Sequence, residues 1–308
     1  MPKSRKIKRK RSIKIVFVAI ALPLVIIMIL YAYQTLTSPC LQDLPADLRL
    51  EEEPWMRYAP STAQYVLFIN TAETLALKEG RDLMENKTVL DLAVPDFTLR
   101  SEDIVYLAGV SLVTNQFVNI IKPKAEPLAV LTASLEDAAG LSSTRYLDHT
   151  LYPVRVLGEN RGSAAGILTL DREHVILVQG ETAARKAIQD VLDASSAPRE
   201  TLFSEAEQAV TYALMKQRAR EITGFSYTRP SAPVAGETGI GKLVYVSGGA
   251  LFSETYYQYV NQTDARHHLE AARESLFTRA KSVCIVGGLI QVVEAVSLAE
   301  INRILPGL

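Results

Sequence analysis

Residues 15–33 read IVFVAIALPLVIIMILYAY, nineteen residues without a charge, directly behind a strongly basic tail. No other feature constrains the chain so tightly. A helix needs about 20 apolar residues to cross a bilayer, and in lipid every backbone amide must be bonded within its own segment. The run therefore predicts a single transmembrane helix, kinked at Pro23, with Tyr31 and Tyr33 at an interface. Ahead of it lie Lys3, Arg5, Lys6, Lys8, Arg9, Lys10, Arg11 and Lys14, with no acidic residue. Positive charge stays on the cytoplasmic side, so the reading is an inside N-terminus, with everything after residue 33 extracytoplasmic.

Two rival readings of the N-terminus are weaker. A cleaved signal peptide has an apolar core of about 7–15 residues and a small-residue cleavage site. This core is longer, and Gln34 to Pro39 offers no good site. A lipoprotein would use Cys40, but Pro39 stands before it. The basic tail reads as a topology signal in contact with anionic headgroups rather than as a nucleic-acid arm.

The net charge of −1 hides an asymmetry. Eight of the 33 basic residues precede residue 15 and all 34 acidic ones follow residue 42, leaving 25 basic against 34 acidic, a net of −9 outside. Such a surface disfavours nucleic acid and other phosphate-rich partners. The two cysteines are Cys40 and Cys284, the latter within the apolar run Val283-Cys284-Ile285-Val286. One disulfide between them and two inert thiols both fit; the thiols are the favoured reading, and a disulfide-framed module is excluded.

Residues 34–60, with Pro39, Pro45, Pro54, Pro60 and Glu51-Glu52-Glu53, read as a stalk. An α+β region is expected over 61–223, a Gly/Pro-rich flexible loop over 224–241, and a completing α+β part over 242–308. Strands are expected at Tyr65–Ile69, Ile104–Val113, Phe117–Ile121, Leu128–Ala133, Tyr152–Leu157, Ala165–Leu170, His174–Val178 and Leu243–Val246. Asp171-Arg172-Glu173 reads as a hairpin turn. Helices are expected after residue 70 and over Glu181–Leu192, where Ala184, Ala187, Ile188, Val191 and Leu192 form a stripe. Others are expected from Ser204 to Glu221, over Asp264–Arg279, and from Ser297, with capping boxes at Ser204/Glu207 and Ser297/Glu300. Residues 283–293 read as one bent, buried strand. The fold class is α+β, with mainly antiparallel sheets, packed helices and two similar subdomains as a candidate arrangement.

The motif search yields no catalytic, cofactor or metal site. Gly236-Glu237-Thr238-Gly239-Ile240-Gly241-Lys242 fits the start of a phosphate-binding loop, but Leu243 stands where Ser or Thr is needed and a strand follows where a helix is needed. Asp264, His267 and Glu270 share a helix face but read as an exposed charged surface. His149 and His174 have no partner at triad spacing, and no nucleophile elbow is present. Tyr256, Tyr257 and Tyr259 form a candidate partner-binding patch. Asn86 and Asn261 head glycosylation sequons.

The stretch AAGILTLDREHVILVQG, followed by ETAARKAIQDVLDASSA and LFSEAEQAV, resembles an uncharacterised family of prokaryotic single-pass surface proteins. The resemblance covers residues 152–210 and implies a membrane anchor carrying a large α+β extracytoplasmic region; it carries no catalytic residue across. The leading expectation is a non-enzymatic, membrane-anchored binding or structural protein of the cell envelope, with an envelope protein or lipid as partner and no cofactor. An envelope enzyme with a cleft invisible in sequence, or a carrier of lipid or apolar solute, are the alternatives.

Overall fold

The computed structural model describes residues 53–295, apart from 77, 113–115, 139–141, 158–162, 181, 198–200, 205–221, 231–235, 248–249, 278–279 and 281. The expected membrane helix at 15–33 and the expected helices over 205–221 and from Ser297 lie outside the described residues. Among the described residues no helix is long and apolar enough to cross a membrane.

The chain enters through a 3-10 turn at Met56–Tyr58, then forms β1 (Tyr65–Ile69), α1 (Thr71–Ala76), α2 (Lys78–Met84), β2 (Thr88–Val94), β3 (Asp96–Arg100), β4 (Ile104–Ser111) and β5 (Phe117–Pro123). There follow α3 (Ala125–Asp137), β6 (Thr144–Tyr146), β7 (His149–Leu157), β8 (Ser163–Asp171), β9 (His174–Gln179) and α4 (Thr182–Ser196). The last part holds β10 (Ile222–Thr228), β11 (Glu237–Ser247), β12 (Ala250–Tyr259), α5 (Gln262–Phe277), β13 (Ser282–Val286) and β14 (Leu289–Ala295). The strands form one fourteen-stranded sheet in the order β13-β14-β12-β11-β10-β1-β4-β5-β9-β8-β7-β2-β3, with β6 beside β7, and its ladders are antiparallel. The α+β class with mainly antiparallel pairing is thus observed, as halves of a single sheet.

Those halves follow the same path. Outward from the antiparallel β1–β10 seam, one runs β1, β4, β5, β9, β8 and the other β10, β11, β12, β14, β13. Each has a helix, α3 or α5, between its two hairpins. The register agrees in detail. The β4–β5 ladder slips between Ile104 and Tyr106, and the β11–β12 ladder slips between Glu237 and Gly239. The outer hairpins close through two residues, and the first of each is left-handed: Arg172 at φ 56° and Gly287 at φ 57°. The first half also carries insertions, α1 to β3 after β1 and β6 to β7 after α3.

The faces are covered differently. On the outer face Leu131 and Leu135 of α3 pack with Ile121, Val175 and Leu177, and Ala265 and Leu269 of α5 pack with Tyr257, Ile290 and Val292. On the inner face α4 lays Ala184, Ala187, Ile188, Val191 and Leu192 over Val118, Ile120, Ile176 and Val178. At the seam Trp55 stacks on Phe68 of β1 at 5.1 Å and meets Phe203 edge-on at 5.5 Å and Phe225 of β10 at 6.2 Å.

Four sequence expectations are corrected here. Leu128–Ala133 lies within helix α3: Leu128, Leu131 and Leu135 share a helical face, and Pro127 sits in the first turn where its missing N–H costs nothing. The described residues of 224–241 are largely strand, the end of β10 and the start of β11, and Gly239 seats the Tyr227 ring there. Residues 283–293 form a hairpin, since Gly287 adopts a turn at φ 57°. Residues 55–60, expected within the stalk, are folded: Trp55, Met56, Tyr58 and Ala59 are core, and Pro60 bridges Thr201.

Candidate functional site

Two buried polar clusters stand out. In the first, the β8–β9 hairpin places Asp171 opposite His174, made possible by the left-handed turn at Arg172. Tyr58, on the entering 3-10 turn, donates its hydroxyl hydrogen to Asp171 Oδ2 at 2.9 Å and lies 3.2 Å from His174 Nδ1. The Tyr106 hydroxyl of β4 bonds His174 Nε2. Donor accounting orders the chain. The single Tyr58 hydrogen goes to Asp171, so the imidazole carries its own hydrogen on Nδ1 and accepts from Tyr106 through Nε2. A neutral histidine follows, and its surroundings agree. Burial first, then the positive charges of Lys122 and Arg57, hold His174 down at about 4. Burial first raises the Tyr106 phenol above its usual range, and burial followed by Asp171 raises that of Tyr58.

This chain is sealed: His174 is 3% exposed and Tyr58 fully buried. Its chemistry is therefore bracing, joining the entering segment to the sheet. His174 looked isolated in sequence because its partners lie 68 and 116 residues away.

The second cluster lies on the inner face of the other half. Glu254 of β12 accepts from Tyr245 at 2.8 Å through Oε1 and from Tyr256 at 2.6 Å through Oε2. Gln291 Nε2 of β14 donates to Glu254 Oε2 and to the Tyr256 hydroxyl, each at 3.0 Å. The carboxylate is 1% exposed. A buried carboxylate demands such donors. Strand alternation puts Glu254 and Tyr256 on one face, and the β12–β14 register brings Gln291 opposite Tyr256. Sequence reasoning missed the cluster; alternation around Glu254 and Tyr256 was the available signal.

The predicted site residues are dispersed. Tyr256 and Tyr259 are buried on opposite faces of β12, and the partly buried Tyr257 joins Tyr259 beneath α5, so the three do not make one surface patch. His268 packs between Tyr257 and Tyr259 at ring distances of 6.0 and 5.3 Å. Asp264 is held by the Asn261 side chain, whose Oδ1 caps the Asp264 N–H at 3.0 Å. His267 and Glu270 are exposed on α5. The loop-like Gly236 to Lys242 lies in β11, apart from Gly236 just before it. Asn86 is exposed at φ 61° ahead of β2, and the exposed Asn261 spends its amide on Asp264. Cys284 is disulfide-bonded, which overturns the favoured reading of two thiols; the chain's other cysteine, Cys40, lies outside the described residues.

No family model matches the chain, and no curated protein does. Among solved structures, crystal form I of TP0453 has a TM-score of 0.42 at 10% identity, covering 81% of this chain and 95% of that one. Crystal form IV of the same protein has 0.41 at 9%, covering 84% and 98%. Likenesses this slight carry no functional argument. The fold and its clusters define a class instead: an antiparallel, single-sheet α+β protein with two closely corresponding halves and polar braces sealed inside.

Proposed function

We propose that the chain is a membrane-anchored, extracytoplasmic protein of the cell envelope that binds or braces another envelope component and performs no catalysis. The observation that carries this reading is the disulfide at Cys284. Disulfides persist in oxidising compartments, which agrees with the side of the membrane that the basic tail and the uncharged run 15–33 assign to the ectodomain. The binding role, rather than an enzymatic one, is supported by where the titratable groups sit: the His174 and Glu254 clusters are both spent on internal hydrogen bonds and closed to solvent. The acidic exterior points to a protein or lipid partner rather than to nucleic acid.

The test uses the full chain in native membranes. Resistance to alkaline extraction, together with digestion of residues after 33 by protease added to cells stripped of any outer layer but with the cytoplasmic membrane intact, is expected. Release by alkali, or protection of the ectodomain in such stripped cells, overturns the reading. Native mass spectrometry of the detergent-solubilised chain then distinguishes a bound lipid from a protein partner.

A further inference from the structure

Strand β3 is the last of the sheet on the side of the first half, and among the described residues it pairs with β2 alone. In an antiparallel ladder alternate residues of such a strand turn both N–H and C=O away from the paired neighbour, which makes the edge a template for another strand. Sheets blunt their edges with charges, prolines or bulges. On β3 the charges are arranged in another way. Asp96, Thr98 and Arg100 are exposed, while Phe97 and Leu99 between them are buried in the core. The exposed row reads negative, neutral, positive, and that order is its own complement when the strand is turned end for end. The edge is also held in place. The Thr98 hydroxyl donates to Asp91 Oδ1 of β2 at 3.0 Å, and the Arg100 N–H donates to Asp103 Oδ2 at 3.1 Å. Pro95 precedes the strand and the 3-10 turn Ser101–Asp103 follows it, so the row is five residues long.

We propose that β3 pairs antiparallel with β3 of a second copy of this chain, about a two-fold axis at Thr98, joining two sheets into one. Asp96 then stands opposite the partner's Arg100, Phe97 opposite the partner's Leu99, and Thr98 opposite the partner's Thr98. Directly opposed side chains have Cβ atoms about 4.5–5.5 Å apart, close enough for both aspartate–arginine pairs to form. The charges also select the register. A shift of two residues one way sets Asp96 against the partner's Thr98 and leaves both arginines outside the ladder. A shift of two the other way leaves both aspartates outside. A shift of one sets the exposed row against the buried one and inverts one sheet relative to the other.

The pairing is isologous: the same edge of each copy is used, so assembly closes at a dimer instead of growing into a filament. Five residues a side make a small interface, which fits a reversible dimer. Two features favour it all the same. The strand is already ordered by β2 and by its core side chains, so little is lost in fixing it. Each pair of opposite charges counts twice across the axis.

The test takes the full chain in detergent and follows its mass by sedimentation equilibrium over a concentration series. A reversible dimer is expected by about 100 μM. Asp96→Arg leaves arginine at both charged positions and Arg100→Asp leaves aspartate at both, so each variant alone should dimerise about tenfold or more weakly. Mixed together, the two variants restore opposite charges across the axis and should form a heterodimer of native affinity. The double variant Asp96→Arg/Arg100→Asp should dimerise like the native chain. Crosslinking checks the register independently of these charges. Thr98→Cys lies on the axis and should give a disulfide-linked dimer on mild oxidation. Asp96→Cys lies about 13 Å along the ladder from its own counterpart and should not. A monomer throughout the series, single variants that dimerise as the native chain does, or linkage through position 96 as readily as through 98 overturns the pairing. None of these readouts depends on the anchor reading, which alkaline extraction tests separately.

Discussion

At the residue scale, His174 shows how a side chain with no visible partner in sequence acquires a defined role. Held neutral at about 4 against an ordinary value of 6.5, it binds fewer protons folded than unfolded between those limits. Its contribution is therefore fully present above pH 6.5 and lost as pH falls toward 4, by about 3 kcal/mol. His174→Leu, which installs the residue found at the corresponding position 289, should flatten the slope of unfolding free energy against pH between 5 and 6.5, measured by urea denaturation. The same variant strands the Tyr106 hydroxyl and should cost about 1–3 kcal/mol at pH 7.5. An unchanged slope between 5 and 6.5 would remove His174 from the account. The sequence showed the hairpin that holds His174, since Asp171-Arg172-Glu173 is a turn signal. It did not show Tyr58 and Tyr106, because a network spanning 116 residues leaves no spacing to read.

At the element scale, the sheet uses glycines to seat aromatics, and two of them separate a costly from a cheap substitution. A Cβ on Gly239 would collide with the Tyr227 hydroxyl, and Tyr227 is 1% exposed with no room to retreat. A Cβ on Gly109 would meet the Phe117 ring, but Phe117 is 39% exposed and can swing outward. Gly239→Ala is expected to destabilise by about 2 kcal/mol, as overpacking does, and Gly109→Ala by less than about 1 kcal/mol. Thermal or urea unfolding of the pair decides; equal costs would show that burial of the aromatic does not govern them. The glycines of 224–241, Gly239 among them, also explain why that segment reads as a flexible loop. Gly and Pro density is a breaker signal unless a partner strand supplies the side chain that the glycine lacks, and that partner is invisible locally. The strand reading of Leu128–Ala133 failed for a related reason: over six residues an apolar run has no decisive period, and only Leu135, one turn further, reveals the helix. Where the period was long enough, in Ala184 to Leu192, the helix and its buried face were both legible. Ile188→Ala on that face should cost about 2–4 kcal/mol.

At the scale of the whole molecule, the seam matters most. β1 and β10 pair over five residues, and Trp55 sits against Phe68 on one strand and Phe225 on the other. The chain's single tryptophan is thus a reporter placed where the halves meet. A chain this long can unfold in steps. The seam argues against independent steps, because separating the halves breaks the β1–β10 ladder and exposes both phenylalanines with Trp55. Fluorescence and far-ultraviolet circular dichroism should therefore report coincident urea transitions. Trp55→Ala should uncouple the halves, giving a dichroism curve with two steps and a loss of about 3–5 kcal/mol in the first. Two steps already present in the native chain, with the fluorescence change confined to one, would mean that the aromatic seam joins the halves in space without coupling them in free energy.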